Sequence, residues 1–146
     1  MINFPQRGIH DSKPTPKQLY EIITKELGFI DVCLDKNKFN AKLQLWPDKS
    51  YCNPPFSEKA AFVSRAASSH RTGREVLLYL PFDPTTTWFE TLYHENPLII
   101  IFMKRMQHNR WPAALFHLAR YQQPQIVLVK DLVEVKRLLN GPTPVL

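Results

Sequence analysis

The sequence predicts an α/β fold, a buried sheet with helices packed against it. Short apolar runs at 75–80, 98–102 and 126–129 have the length of buried strands, and the first two are bounded by proline. Stretches with helical spacing fall between and before them, so strand and helix alternate along the chain. Forty-four per cent apolar residues, with 12% aromatics, can build one core over 146 residues.

The elements follow in order. Residues 1–13, with Pro5 and Gly8, read as a flexible tail, and 14–146 as a single domain. Thr15 can cap a helix that starts at Pro16; Leu19, Ile22, Ile23 and Leu27 share a face, and Gly28 ends it. Residues 29–34 read as a strand delivering Asp31 or Asp35 to its carboxyl end, while 36–49 is polar and basic and carries no clear element. Residues 58–71 hold alanines with Phe62 and Val63, a helix closed by Gly73. A short helix is expected within 85–94, where Trp88, Phe89, Leu92 and Tyr93 have helical spacing and mostly face the core. Asp131 and Glu134 form a capping box for a last helix that stops at Asn140-Gly141-Pro142.

The run Ser50-Tyr51-Cys52-Asn53-Pro54-Pro55-Phe56 is the most specific local signal: a strand that stops in two prolines and an aromatic ring. Consecutive prolines fix φ and remove backbone donors, which leaves the carbonyls of Asn53 and Pro54 available as acceptors. The Asn53 side chain adds another carbonyl, and Phe56 offers an apolar face on which a flat base could stack. Acceptors beside a stacking face suit a planar amino group.

A formal charge of +6 and pI near 9.4 favour an anionic partner. No apolar stretch reaches membrane-spanning length and the start of the chain lacks signal-peptide features, so a soluble, cytoplasmic protein without a membrane partner is expected. Cys33 and Cys52 are too few for a disulfide scaffold or a thiolate zinc site, and reduced, buried thiols are the expectation. The five histidines show no ligand spacing, and no metal is assigned.

Set in order, Thr15-Pro16, Asp31-Val32-Cys33-Leu34-Asp35, Asn40-Ala41-Lys42, Cys52-Asn53-Pro54-Pro55-Phe56, Leu78-Tyr79-Leu80-Pro81 and Thr85-Thr86-Thr87-Trp88-Phe89 resemble one family throughout. The chain is similar, from about residue 14 to 105, to the phage-type DNA N6-adenine methyltransferases. That resemblance implies a compact Rossmann-like methyltransferase fold with a reduced central sheet flanked by helices. It further implies S-adenosylmethionine as methyl donor near Thr15, Pro16, Asp31 and Asp35, and DNA as substrate. Asn53, Pro54, Pro55 and Phe56 would hold the target adenine, with phenylalanine where the family more often has tyrosine. It points to a virus or mobile element, hence a host cytoplasm, or a nucleus in a eukaryotic host. The family topology also puts Cys33 and Cys52 at the edges of neighbouring strands, where a bridge would constrict the pocket.

Basic residues cluster twice: Arg65, His70, Arg71 and Arg74, then Lys104, Arg105, His108 and Arg110 beside Trp111. The second group mixes cations with an aromatic, which suits phosphate contact with base stacking, and is the expected nucleic-acid track. The chain departs from related folds in its glycines, at 8, 28, 73 and 141, none of which follows Asp31. Three readings therefore stay open: the DNA methyltransferase, an inactive relative that binds nucleic acid or protein, and an RNA adenine or protein glutamine N-methyltransferase. A homodimer is compatible with so short a chain.

Overall fold

A computed structural model of the chain describes residues 14–34, 38–106 and 112–141. Helix α1 covers Lys17–Glu21 and widens into a π-helical segment, Ile22–Glu26. Strands β1 (Ile30–Asp31) and β2 (Ser50–Cys52) follow. A 3-10 turn, Phe56–Glu58, leads into α2 (Lys59–Arg71), then β3 (Val76–Pro81), α3 (Thr87–Tyr93) and β4 (Leu98–Phe102). A second 3-10 turn, Lys104–Met106, precedes β5 (Ala113–Leu118), β6 (Gln125–Val129) and α4 (Leu132–Leu139).

The strands form one six-stranded sheet in the order β1-β2-β3-β5-β4-β6. Strand β5 runs antiparallel to β3 and β4, and every other pairing is parallel. The carboxyl ends of the five parallel strands consequently converge on one edge, the edge where ligands bind in open α/β sheets.

Alternation along the strands splits the core into two layers. Leu78 and Leu80, with Ile99 and Phe116, pack with Phe62, Ala66, Trp88 and Phe89 of α2 and α3. Leu77 and Tyr79, with Ile100 and Leu115, pack with Leu19 and Ile23 of α1 and Val135 and Leu139 of α4. Helices thus cover both faces, the α/β arrangement expected of a Rossmann-like methyltransferase fold. Among the described residues no helix is long and apolar enough to cross a membrane.

Local signals place several boundaries. The two prolines before Phe56 keep the chain extended, with Pro55 at φ −60° and ψ 141°, so α2 cannot begin earlier. Gly73 ends α2 as expected: its φ of +98° is one a side chain would strain, and its N–H donates to the His70 carbonyl at 2.8 Å. Asp131 caps α4 by accepting from Glu134 N at 3.0 Å, while Glu134 reaches back to Lys130 N at 2.8 Å.

Other expectations are corrected. Thr15 does not cap α1: Pro16 is the cap residue, without a side-chain bond, and the Thr15 hydroxyl turns to the Tyr51 phenol instead. The strand expected over 29–34 is only Ile30–Asp31, because the Asp31 carboxylate accepts from Cys33 N at 2.9 Å and folds the chain into a turn. Strand β5 has no counterpart among the predicted elements.

Cys33 and Cys52 are joined by a disulfide with Cα atoms 5.5 Å apart, in place of the expected thiols. The parallel pairing of β1 with β2 brings these strand ends together. In the first basic cluster, His70 and Arg71 are held by Glu95, with Nδ1 to Oε1 at 2.8 Å and Nε to Oε2 at 2.9 Å. They lie at the end of α2 that leads back to the start of β3, away from Asn53.

A candidate adenine-binding edge

Strand β2 delivers Asn53 to the carboxyl edge of the sheet. Its residues Tyr51 and Cys52 are buried and point to opposite faces, Tyr51 toward α1 and Cys52 toward α2. Asn53 is half-buried beyond them and Pro54 is buried. The Pro55 carbonyl accepts from Glu58 N at 3.1 Å and closes the turn that presents Phe56.

On the α1 side, hydroxyl groups gather around this strand end. The Asn53 side-chain nitrogen donates to Thr15 Oγ1 at 3.4 Å, and the same Thr15 oxygen is hydrogen-bonded to the Tyr51 phenol. Burial holds the Tyr51 phenol protonated well above the ordinary tyrosine range; Asp31 adds to that shift and the Thr15 bond opposes it. Next to it, Tyr20 of α1 donates to Asp31 Oδ2 at 2.7 Å. Burial, then the Asp31 carboxylate, pushes Tyr20 up to about 12. Asp31 therefore accepts from Tyr20 on one oxygen and from Cys33 N on the other. A carboxylate has about four lone-pair positions, so capacity remains for a ligand hydroxyl or amine.

On the α2 side, the Lys59 ammonium sits 4.4 Å from the centre of the Phe56 ring and 6.0 Å from Trp88. One residue earlier, Glu58 pairs with Lys42. Hydrogen bonds from the Thr85 hydroxyl and backbone, with a smaller contribution from Lys59, keep the exposed Asp83 carboxyl below the usual range. Phe56 is thus a half-buried ring with a cation beside it.

A cavity of about 510 Å³ opens at the same edge, between the start of α1 and the start of α4. Pro16 and Lys17 line one wall, Tyr79 and Phe102 its floor, and Lys130 and Leu132 the other wall. Nucleoside-sized ligands occupy pockets of this order, roughly 300–1,000 Å³.

The structure thus gathers Thr15, Asp31 and Asn53 around Tyr51, and Pro16 borders the cavity. Lys104 is exposed just after β4, at the same edge. Asp35, His108, Arg110 and Trp111 lie outside the described residues, as does the Arg105 side chain. Tyr51, Tyr20 and Lys59 went unnoticed in the sequence. Only Lys59 left a usable trace, three residues after Phe56 where a helix begins and side chains three apart meet.

Searches of curated proteins and of solved structures returned no match. A family model described as DNA N-6-adenine-methyltransferase (Dam) matches residues 5–130 of the 146. The match takes in Thr15, Asp31 and the Asn53 turn, and it continues beyond residue 105 through β5 and β6, where the sequence resemblance had faded. With the ordered motifs standing together at one edge of an α/β sheet and the match spanning most of the length, the chain belongs to the Dam family of DNA N-6-adenine-methyltransferases.

Proposed function

We propose that this protein methylates the N6 amino group of adenine in DNA, with S-adenosylmethionine as donor. The observation that carries the reading is the Asn53 side chain, held at the carboxyl edge of the sheet within hydrogen-bonding distance of Thr15 and next to the Phe56 turn. S-adenosylmethionine, when bound, supplies a methyl group already activated on a sulfonium, so the protein's task is placement.

The residues present fit such a donor. Asp31, which does not line the cavity, keeps acceptor capacity at the end of β1, and the cavity beginning at Pro16 has room for a nucleoside. Tyr79 and Phe102 offer apolar rings there, and the polar lining carries Lys17 and Lys130 together with Asp131. The glycine-rich turn usual after the first strand is replaced by the Asp31 turn to Cys33.

On the acceptor side, Asn53 Oδ1 and the Pro54 carbonyl accept the two amino hydrogens of an extruded adenine, which turns the N6 lone pair away from them. The ring stacks on Phe56, offsetting part of the few kcal/mol that base flipping costs. Phosphates meet the segment that leaves β4 at Lys104, where the basic run read from the sequence, with Arg105, His108, Arg110 and Trp111, begins. The charge of +6 supports nucleic acid over a protein acceptor.

The test is transfer of labelled methyl to DNA by the wild type and by Asn53→Ala. Wild-type label in nuclease-sensitive material, lost in the variant while calorimetric donor affinity persists, is the expected result. Label on protein would transfer the reading to a glutamine acceptor. Full transfer by Asn53→Ala would remove that residue from the site.

A further inference from the structure

We infer that Thr15 is a positioning residue that sets which way the Asn53 carboxamide points. The inference rests on the adenine-methylation reading above and deepens it. A carboxamide has one accepting and one donating end of nearly equal size, so shape alone barely distinguishes its two orientations. An amino group can be held only by the carbonyl end. A site that uses asparagine for this purpose therefore needs a contact that holds the nitrogen end elsewhere.

Thr15 provides that contact. Its Oγ1 lies 3.4 Å from Asn53 Nδ2, across a separation of 38 residues, and accepts from it. The same oxygen is tied to the phenol of Tyr51, which is 1% exposed and packed in the α1 layer of the core two residues before Asn53. Position 15 precedes proline, which biases its backbone to the extended region. The hydroxyl is thus anchored by a buried ring and does not swing freely at the end of a loop. At 3.4 Å the bond to Asn53 is long and contributes little stability. Its effect is orientational: it turns the nitrogen end of the carboxamide, and not the carbonyl end, to Thr15. Thr15 accordingly serves the target-base side of the site.

The test compares Thr15→Val, which keeps the shape and removes the hydroxyl, with Thr15→Ser, which keeps the hydroxyl, each also combined with Asn53→Asp. The two oxygens of an aspartate are equivalent and need no orienting. The first readout needs no turnover: the side-chain NH2 resonances of Asn53 in the free protein, assigned by their loss in Asn53→Asp. Thr15→Val is expected to shift them and Thr15→Ser to leave them in place. In methyl transfer, Thr15→Val should lower kcat roughly 3- to 10-fold, the worth of one hydrogen bond, with donor affinity by calorimetry unchanged. Thr15→Ser should restore the rate, and the Thr15→Val effect should shrink below about twofold when position 53 is aspartate.

Unmoved Asn53 resonances in Thr15→Val overturn the inference. So does a loss confined to donor affinity, or an undiminished Thr15→Val effect beside aspartate. If Asn53→Asp is inactive, the resonances and the valine–serine pair decide. A wild type that transfers no methyl overturns the underlying reading, and the resonances separate that failure from failure of the contact.

Discussion

Breaking the bridge between Cys33 and Cys52 should cost the protein a large part of its stability. The bond closes a loop with a sequence separation of 19 and joins the ends of β1 and β2. In the chain-entropy account, a loop of this length restricts the unfolded state by about 3 kcal/mol. Cys52 is fully buried in the layer facing α2, so replacing it also changes packing, and the cross-link has to be isolated from that change. The comparison is therefore the shift caused by reductant in the wild type against its absence in a Cys33→Ala, Cys52→Ala variant. With denaturant slopes of roughly 1–3 kcal/mol/M, reductant should move the wild-type urea midpoint down by roughly 1–3 M. Far-ultraviolet circular dichroism follows the transition, and thiol titration of the native protein checks the starting state. Two titratable thiols before any reductant, or a midpoint indifferent to it, would refute the reasoning.

Two further outcomes are expected. Phe56→Ala should lower kcat/KM on DNA by roughly 5- to 150-fold, the range set by about 1–3 kcal/mol for stacking a base on an aromatic ring, whereas Phe56→Tyr keeps the ring and should stay within a few fold; an alanine variant as active as the wild type would remove Phe56 from the base site. At alkaline pH, the Tyr20 phenol keeps its proton to about 12 in the fold, against 10.0 for free tyrosine. The folded state thus holds a proton the unfolded state has released, so the stability involved is present below about pH 10 and is lost as pH rises toward 12. Tyr20→Phe should flatten that decline in denaturant midpoints, and an equally steep decline would count against the assignment.

Much of the fold could be read from local chemistry. Proline stops placed the end of β2 and the start of α2, Gly73 placed the end of α2, and Asp131 with Glu134 placed α4. These signals work because each acts within a few residues. Strand β5 escaped because its run, Ala113–Leu118, carries a histidine and follows a basic stretch, and because antiparallel insertion between β3 and β4 leaves no local mark. His117 is tolerated in a fully buried strand because Glu75 Oε2 at 2.6 Å and Tyr121 at 2.8 Å satisfy both ring nitrogens, partners the sequence does not announce. In the site, Asn53 and Phe56 stood out by their neighbours. The turn of Thr15 toward Tyr51 did not, because a threonine before proline at a helix start has a simpler local explanation as a cap. Long-range pairing also made the disulfide: no local signal near Cys33 points to Cys52, and only the family resemblance set the two at neighbouring strand edges.

The place of β5 has a consequence for how the molecule comes into being. Strands β1, β2 and β3 form one ribbon and β4 with β6 another, and among the described residues only β5 hydrogen-bonds to both. During synthesis β3 and β4 emerge first and cannot pair with each other in the native arrangement. Each presents an unfilled edge of backbone donors and acceptors until residues 113–118 arrive. A nascent chain halted before that point carries Thr15, Asp31 and Asn53 yet has only the β1–β2–β3 ribbon and an unpaired β4 on which to hold them. The groups proposed to handle the base are thus made early and become usable late, when β5 joins β3 to β4 and β6 then completes the sheet.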